Sequence, residues 1–147
     1  MKIVALIPAY NEERYIAATI TAVLDQWRVP DVIVVIPNGS TDRTAEIARS
    51  FPVTVMELPK LEHRKSEAMN WAWHAYCQHA DLVISLDADT SLPPNAVGTW
   101  EQEFIEDAAR QKILNRLSPP KQINGWDGAV VIALGLLTAR VLALETA

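Results

Sequence analysis

A single cysteine, Cys77, stands among the 147 residues. That excludes an intramolecular disulfide and any zinc site built on several thiolates. The expected setting is reducing, or one whose redox state is immaterial. Basic residues are outnumbered: 13 Lys and Arg face 18 Asp and Glu, for a formal net charge of -5. Nucleic-acid coating is driven by basic surface that displaces counterions, so nucleic acid is excluded as a partner. Long hydrophobic runs are missing as well. The most apolar stretch, 129–139, covers eleven residues before Arg140 interrupts it. A membrane-crossing helix needs roughly 20, so this stretch reads as buried core. Near the N-terminus only Ile3 to Ile7 are apolar before Pro8, too few for the core of an export signal. The expected location is cytoplasmic, the inner face of the membrane included. The three histidines lack metal-ligand spacing. His74 and His79 are five apart, do not share a helix face, and read as structural.

What is present is an ordinary globular composition, half apolar and 21% charged. A chain of this length has room for one domain and buries roughly two-thirds of its unfolded surface, so it needs no staple. The first ninety or so residues alternate between two periodicities. Ile3 to Ile7, Asp31 to Ile36, Val53 to Leu58 and Leu82 to Leu86 read as short buried strands, two of them stopped by Pro8 and Pro37. Between them, Ile16, Ile20, Val23, Leu24 and Trp27 repeat at helical spacing, with Glu12 and Glu13 expected in the first turn. A short helix is expected over about 41–50. A longer one is expected over 62–79, with Met69, Ala72, Trp73 and Tyr76 on one face. Alternating Val/Ile/Leu strands and helices predict an α/β fold: a mainly parallel, Rossmann-like sheet with helices on both faces.

Beyond Asp89, Pro93-Pro94 opens a helix whose apolar positions keep helical spacing toward Leu117, where Ser118-Pro119-Pro120 breaks it. Residues 129–144 read either as a strand then a helix, or as one helix. The expected organisation is an α/β domain over 1–117, with 118–147 as a C-terminal extension packing on it.

In an open parallel sheet, ligands settle beyond the carboxyl ends of the strands. Four polar segments fall there: Pro8-Ala9-Tyr10-Asn11-Glu12, Pro37-Asn38-Gly39-Ser40, His63-Arg64-Lys65 and Asp87-Ala88-Asp89. Two carboxylates two residues apart can reach one hard divalent cation that keeps waters and takes its other ligands from phosphates. A solvated acidic turn is the plainer alternative. Because a core strand ends at Asp87, that residue is expected to pay for burial unless it has a partner. Tyr10-Asn11-Glu12 can face a nucleotide with free N–H groups and an aromatic ring, or can be a helix cap with Asn11 as N-cap. Asn38 can present an amide to a base edge, or belong to an ordinary turn. Arg64-Lys65 can screen phosphates, or be a solvated helix start.

Taken together, these segments resemble family 2 glycosyltransferases, GT-A type enzymes that use nucleotide-sugar donors. Ile7-Pro8-Ala9-Tyr10-Asn11-Glu12-Glu13 is similar to that family's opening strand and P-A/T-Y-N-E stretch. Val34 to Thr44 is similar to its D-D/N-G-S-x-D-x-T segment, Lys65 to Asn70 to K-x-x-A-L-N, and Asp87-Ala88-Asp89 to D-x-D. The resemblance covers about residues 3–95. It implies that Pro8, Ala9, Tyr10 and Glu12 line a nucleoside pocket, that Asn38 meets the base, and that Lys65 lies near the nucleotide. Asp87 and Asp89 would hold ribose and a Mg²⁺- or Mn²⁺-bound diphosphate, with a UDP-sugar as donor and an unknown acceptor. It also implies inverting displacement, with a carboxylate deprotonating the acceptor.

Two departures qualify the match. Pro37 and Asn38 stand where the family often has two acids. No downstream acidic or basic-aromatic motif follows Asp89; Glu106-Asp107 falls mid-helix and too early, and Asp127 is a lone turn acid. No catalytic base is assigned. The chain looks like the donor-binding part, shortened or rearranged at its C-terminal end. A non-catalytic nucleotide-sugar-binding module or half of a split enzyme is the alternative. Uncovered apolar surface in 129–144 is expected to promote self-association. A nucleotidyltransferase would call for a glycine-rich, basic loop after the first strand, which this sequence lacks.

Overall fold

A computed structural model describes the backbone of residues 1–59, 64–114, 130–133 and 142–143. Its elements, in chain order, are β1 (Ile3–Ala9), α1 (Ile16–Leu24), β2 (Val32–Pro37), α2 (Thr44–Arg49), β3 (Thr54–Val55), α3 (Arg64–Tyr76), β4 (Leu82–Ser85), α4 (Ala96–Leu114), β5 (Val130–Ala133) and β6 (Leu142–Ala143). They build one sheet in the order β3-β2-β1-β4-β5-β6. The first four strands run parallel, whereas β5 and β6 pair antiparallel with their neighbours.

The near-continuous apolar strands follow from burial on both faces. In β1, Ile3, Ala5, Ile7 and Ala9 pack with Ile16, Ile20 and Val23 of α1, Ala48 of α2 and Val97 of α4. The intervening Val4 and Leu6 pack on the opposite side with Ala68, Met69 and Ala72 of α3. Ile3, Leu6 and Ile7 are fully buried, each contributing roughly 1.5–3 kcal/mol. Trp73 and Tyr76 join Met69 and Ala72 as expected. Cys77 is buried, which pushes its thiol up to about 11 against a lowering influence from Lys2.

Several boundaries differ from the expected ones. α1 begins only at Ile16, with Tyr15 as N-cap and no acid in its first turn. Asn11 cannot be the cap because it sits in the left-handed region, with φ of 53°. Trp27 lies beyond the helix and is 81% exposed, since α1 stops at Leu24 and the Trp27 N–H turns to the Pro94 carbonyl at 2.8 Å. α2 is shorter than 41–50 because residues 41–43 are engaged in a loop network described below. β3 is two residues long, but Met56 and Leu58 still donate to Val35 and Pro37. Val130–Ala133 and Leu142–Ala143 are strands, so 129–144 is not one helix, nor a strand followed by a helix reaching residue 143. The open edge of β4 supplies the backbone partners that draw β5 into the sheet. The 115–117 end of the expected α4, and Asp127, lie outside the described residues.

Candidate functional site

The strand order changes direction at β1. From β1 the chain moves outward through β2 to β3, then returns to place β4 on the other side of β1. Loops leaving the carboxyl ends of β1 and β4 therefore diverge and leave a crevice, the usual ligand position in such sheets. A cleft of about 310 Å³ occupies that point, lined by Pro8, Ala9, Tyr10, Glu12, Asn38, Ala68, Asp87, Ala88 and Asp89. Three of the four segments expected to converge, those of residues 8–12, 37–40 and 87–89, each contribute to that lining. Lys65 lies in the first turn of α3, three positions before Ala68. Its side chain and His63 lie outside the described residues.

Two loops form one rim. After β1, the backbone N–H groups of Asn11, Glu12 and Glu13 donate to Ser40 Oγ (3.1 Å), Thr44 Oγ1 (2.9 Å) and Asp42 Oδ2 (3.1 Å). In return, the Thr41 N–H donates to Asn11 Oδ1 at 2.8 Å and the Arg43 N–H to Glu13 Oε2 at 3.2 Å. Asp42 also accepts from the N–H and hydroxyl of Thr44. The N–H groups read as available to a ligand are thus taken by side chains of the second loop. Behind this rim Asn38 is only 4% exposed, and its N–H donates to the Ala9 carbonyl at 3.0 Å.

The opposite rim is the turn Asp87-Ala88-Asp89, closed by the Thr90 N–H on the Asp87 carbonyl at 3.0 Å. Both aspartates are exposed while Ala88 between them is buried. The burial cost expected for Asp87 is therefore not incurred, because the chain turns outward directly after Leu86. Sequence reasoning missed Thr19 of α1, whose buried hydroxyl donates to the Ala88 carbonyl at 2.7 Å.

The cleft carries a negative field. Burial pushes the Glu12 carboxyl above its usual range, and the charges of Asp89, Asp42 and Asp87 push it further. Asp42 itself is lowered: burial raises it, but the hydrogen bonds from Thr44 and Glu13 outweigh that. Among the described residues no group of three or more acidic, histidine or cysteine side chains is arranged to hold a metal ion. A divalent cation nonetheless fits the donor set, since hard carboxylate oxygens lie in a field negative enough to perturb Glu12. Such a cation would draw its remaining ligands from water or a bound phosphate.

The model of glycosyl transferase family 2 matches residues 4–129. The chain belongs to that family. A curated relative, the 4,4'-diaponeurosporenoate glycosyltransferase of Staphylococcus aureus (strain USA300), is 34% identical over 102 residues, 67% of this chain and 27% of that protein. The chain therefore spans only about a quarter of the length of the curated relatives it matches. Among solved structures, S. aureus TarS 1-349 superposes with a TM-score of 0.63 at 22% identity, over 74% of this chain and 33% of that one. Glucosyl-3-phosphoglycerate synthase from Mycobacterium tuberculosis, in complex with Mn²⁺, UDP-Glc and phosphoglyceric acid, gives 0.51 at 27% identity over 61% and 35%. The fold is the GT-A type of α/β sheet. Among the described residues no helix is long and apolar enough to cross a membrane.

Proposed function

We propose that this family 2 chain binds a nucleotide-diphosphate sugar in the β1/β4 cleft and serves transfer of the sugar to an acceptor. The observation that carries this reading is the convergence of Tyr10, Glu12, Asn38, Asp87 and Asp89 on one crevice at the switch point of the sheet. In it, Pro8 and Ala9 form the floor and the Tyr10 ring lies against the base. Asn38 accepts a hydrogen bond from a uracil-like N–H through its amide oxygen. Lys65, from the start of α3, offers positive charge to the nucleotide. Asp87 meets the ribose, and Asp87 and Asp89 hold Mg²⁺ or Mn²⁺. When bound, the cation neutralises charge growing on the departing nucleotide diphosphate. UDP-sugar is the proposed donor, supported by the UDP-Glc bound to the mycobacterial relative.

The test is calorimetry with UDP across Mn²⁺ concentrations, followed by assay of UDP-sugar hydrolysis. Wild type binds UDP more tightly as Mn²⁺ rises, and Asp89→Ala removes that enhancement. Unchanged Mn²⁺-assisted binding in the variant overturns the assignment of Asp89. Tight binding without hydrolysis or transfer to any acceptor favours a non-catalytic nucleotide-sugar-binding module or half of a split enzyme. Self-association through 129–144 belongs to the same proposal, and a monomer in sedimentation velocity removes it. The domain division at 117/118 is likewise proposed, and limited proteolysis checks it.

A further inference from the structure

α1 runs behind the acidic turn and touches it through side chains that no part of the nucleotide reading uses. Thr19 is 2% exposed, and its hydroxyl donates to the Ala88 carbonyl at 2.7 Å, with the Thr90 carbonyl at 3.3 Å. One hydroxyl proton serves chiefly the nearer acceptor, so the contact pins the Ala88–Asp89 peptide unit. The segment just after that helix holds the chain farther on. The buried Gln26 amide donates to the Pro93 carbonyl at 2.8 Å and accepts from the Val97 N–H at 3.0 Å. The acidic turn is therefore tied at its centre to α1, and the chain a few residues beyond is tied to Gln26, just past the end of that helix.

We propose that Thr19 is a positioning residue that sets the Asp87-Ala88-Asp89 turn for cation binding, acting through the Ala88 carbonyl. This rests on the reading of the cleft as a metal-assisted nucleotide site. Ala88 is the shared pivot of the two exposed carboxylates, and rotation of its peptide would change their separation and direction together. With the carbonyl fixed from below, the two side chains keep one spacing. Loss of a group that orients metal-binding side chains typically costs about 10–100-fold in metal affinity.

The experiment compares wild type with Thr19→Val, which keeps the shape and deletes the hydroxyl, and Thr19→Ser, which keeps the hydroxyl. Calorimetry reads two probes: UDP across Mn²⁺ concentrations, and uridine, which has no diphosphate. Thr19→Val should need about tenfold more Mn²⁺ for half-maximal UDP binding, as expected for a lost orienting contact. Uridine binding should be unchanged, and Thr19→Ser should match wild type. An unaltered Mn²⁺ requirement in Thr19→Val overturns the proposal while leaving the nucleotide reading intact. Equal losses for uridine and for UDP with Mn²⁺ also overturn it, since they mark a general packing role. Failure of wild type to bind UDP with Mn²⁺ overturns both. Should Thr19→Val not fold, Thr19→Ala and Thr19→Ser form the comparison, and equal Mn²⁺ requirements in that pair reject the proposal.

Discussion

Glu12 shows what a single side chain reports about its surroundings. Burial comes first among the influences that raise its carboxyl, followed by the charges of Asp89, Asp42 and Asp87. A carboxyl raised above its ordinary value of 4.5 holds its proton more tightly in the folded chain than in the unfolded one. Between the two values the folded state carries more protons, so stability falls as pH rises through that window, and the loss persists at neutral pH. Glu12→Gln should therefore melt at a higher temperature than wild type at pH 7. The advantage should vanish at pH values low enough to protonate Glu12 in both states. Mn²⁺ should narrow the difference at pH 7, because a bound cation offsets the same field. Thermal melts at the two pH values, with and without Mn²⁺, check each part. Asp42 behaves oppositely. Its lowered value contributes stability above its ordinary 3.8 that is lost as pH falls through the folded value.

Among the elements, the two loops after β1 and β2 act as a unit. Asn11 is central twice over, through its left-handed backbone and its side-chain oxygen on the Thr41 N–H. The two contributions separate by substitution. Asn11→Gly keeps the backbone conformation at no steric cost and loses only the bond, whereas Asn11→Ala loses the bond and adds strain. The alanine variant should be less stable than the glycine variant by about 1 kcal/mol. Urea unfolding midpoints measure the gap. Equal stability would mean that the loop relaxes out of the left-handed region.

This loop also marks where sequence reasoning ran short. An asparagine followed by two glutamates before an apolar periodic stretch has the pattern of an N-cap and acidic first turn. Cross-loop hydrogen bonds to residues about thirty positions away won over that local preference. Thr19 was invisible for a related reason. A threonine among Ile16, Ile20 and Val23 carries no signal until Ala88, 69 positions later, is known to lie against it. The strands and the cleft were readable because they rest on local pattern and on one rule of topology. Val/Ile/Leu runs ending in polar turns place those turns on one rim. The antiparallel β5 and β6 were not readable, since their pairing depends on which edge of β4 is left open.

At the scale of the whole molecule, β1 and β2 both send alternating side chains into two apolar layers and pair with parallel neighbours on each side. β1 has the longer ladders, with six registered pairs to β2 and four to β4 against two between β2 and β3. Its amides reach solvent only when the sheet as a whole opens, unlike those of exposed loops that fray locally. Deuterium uptake followed by mass spectrometry should accordingly be slowest across Val4 to Ile7 and fast around Ser40 to Arg43. Comparable protection of the two segments would contradict this. Pro8 and Ala9 continue directly from that slow-exchanging run, so the base of the crevice keeps its contour through fluctuations that let its margins breathe.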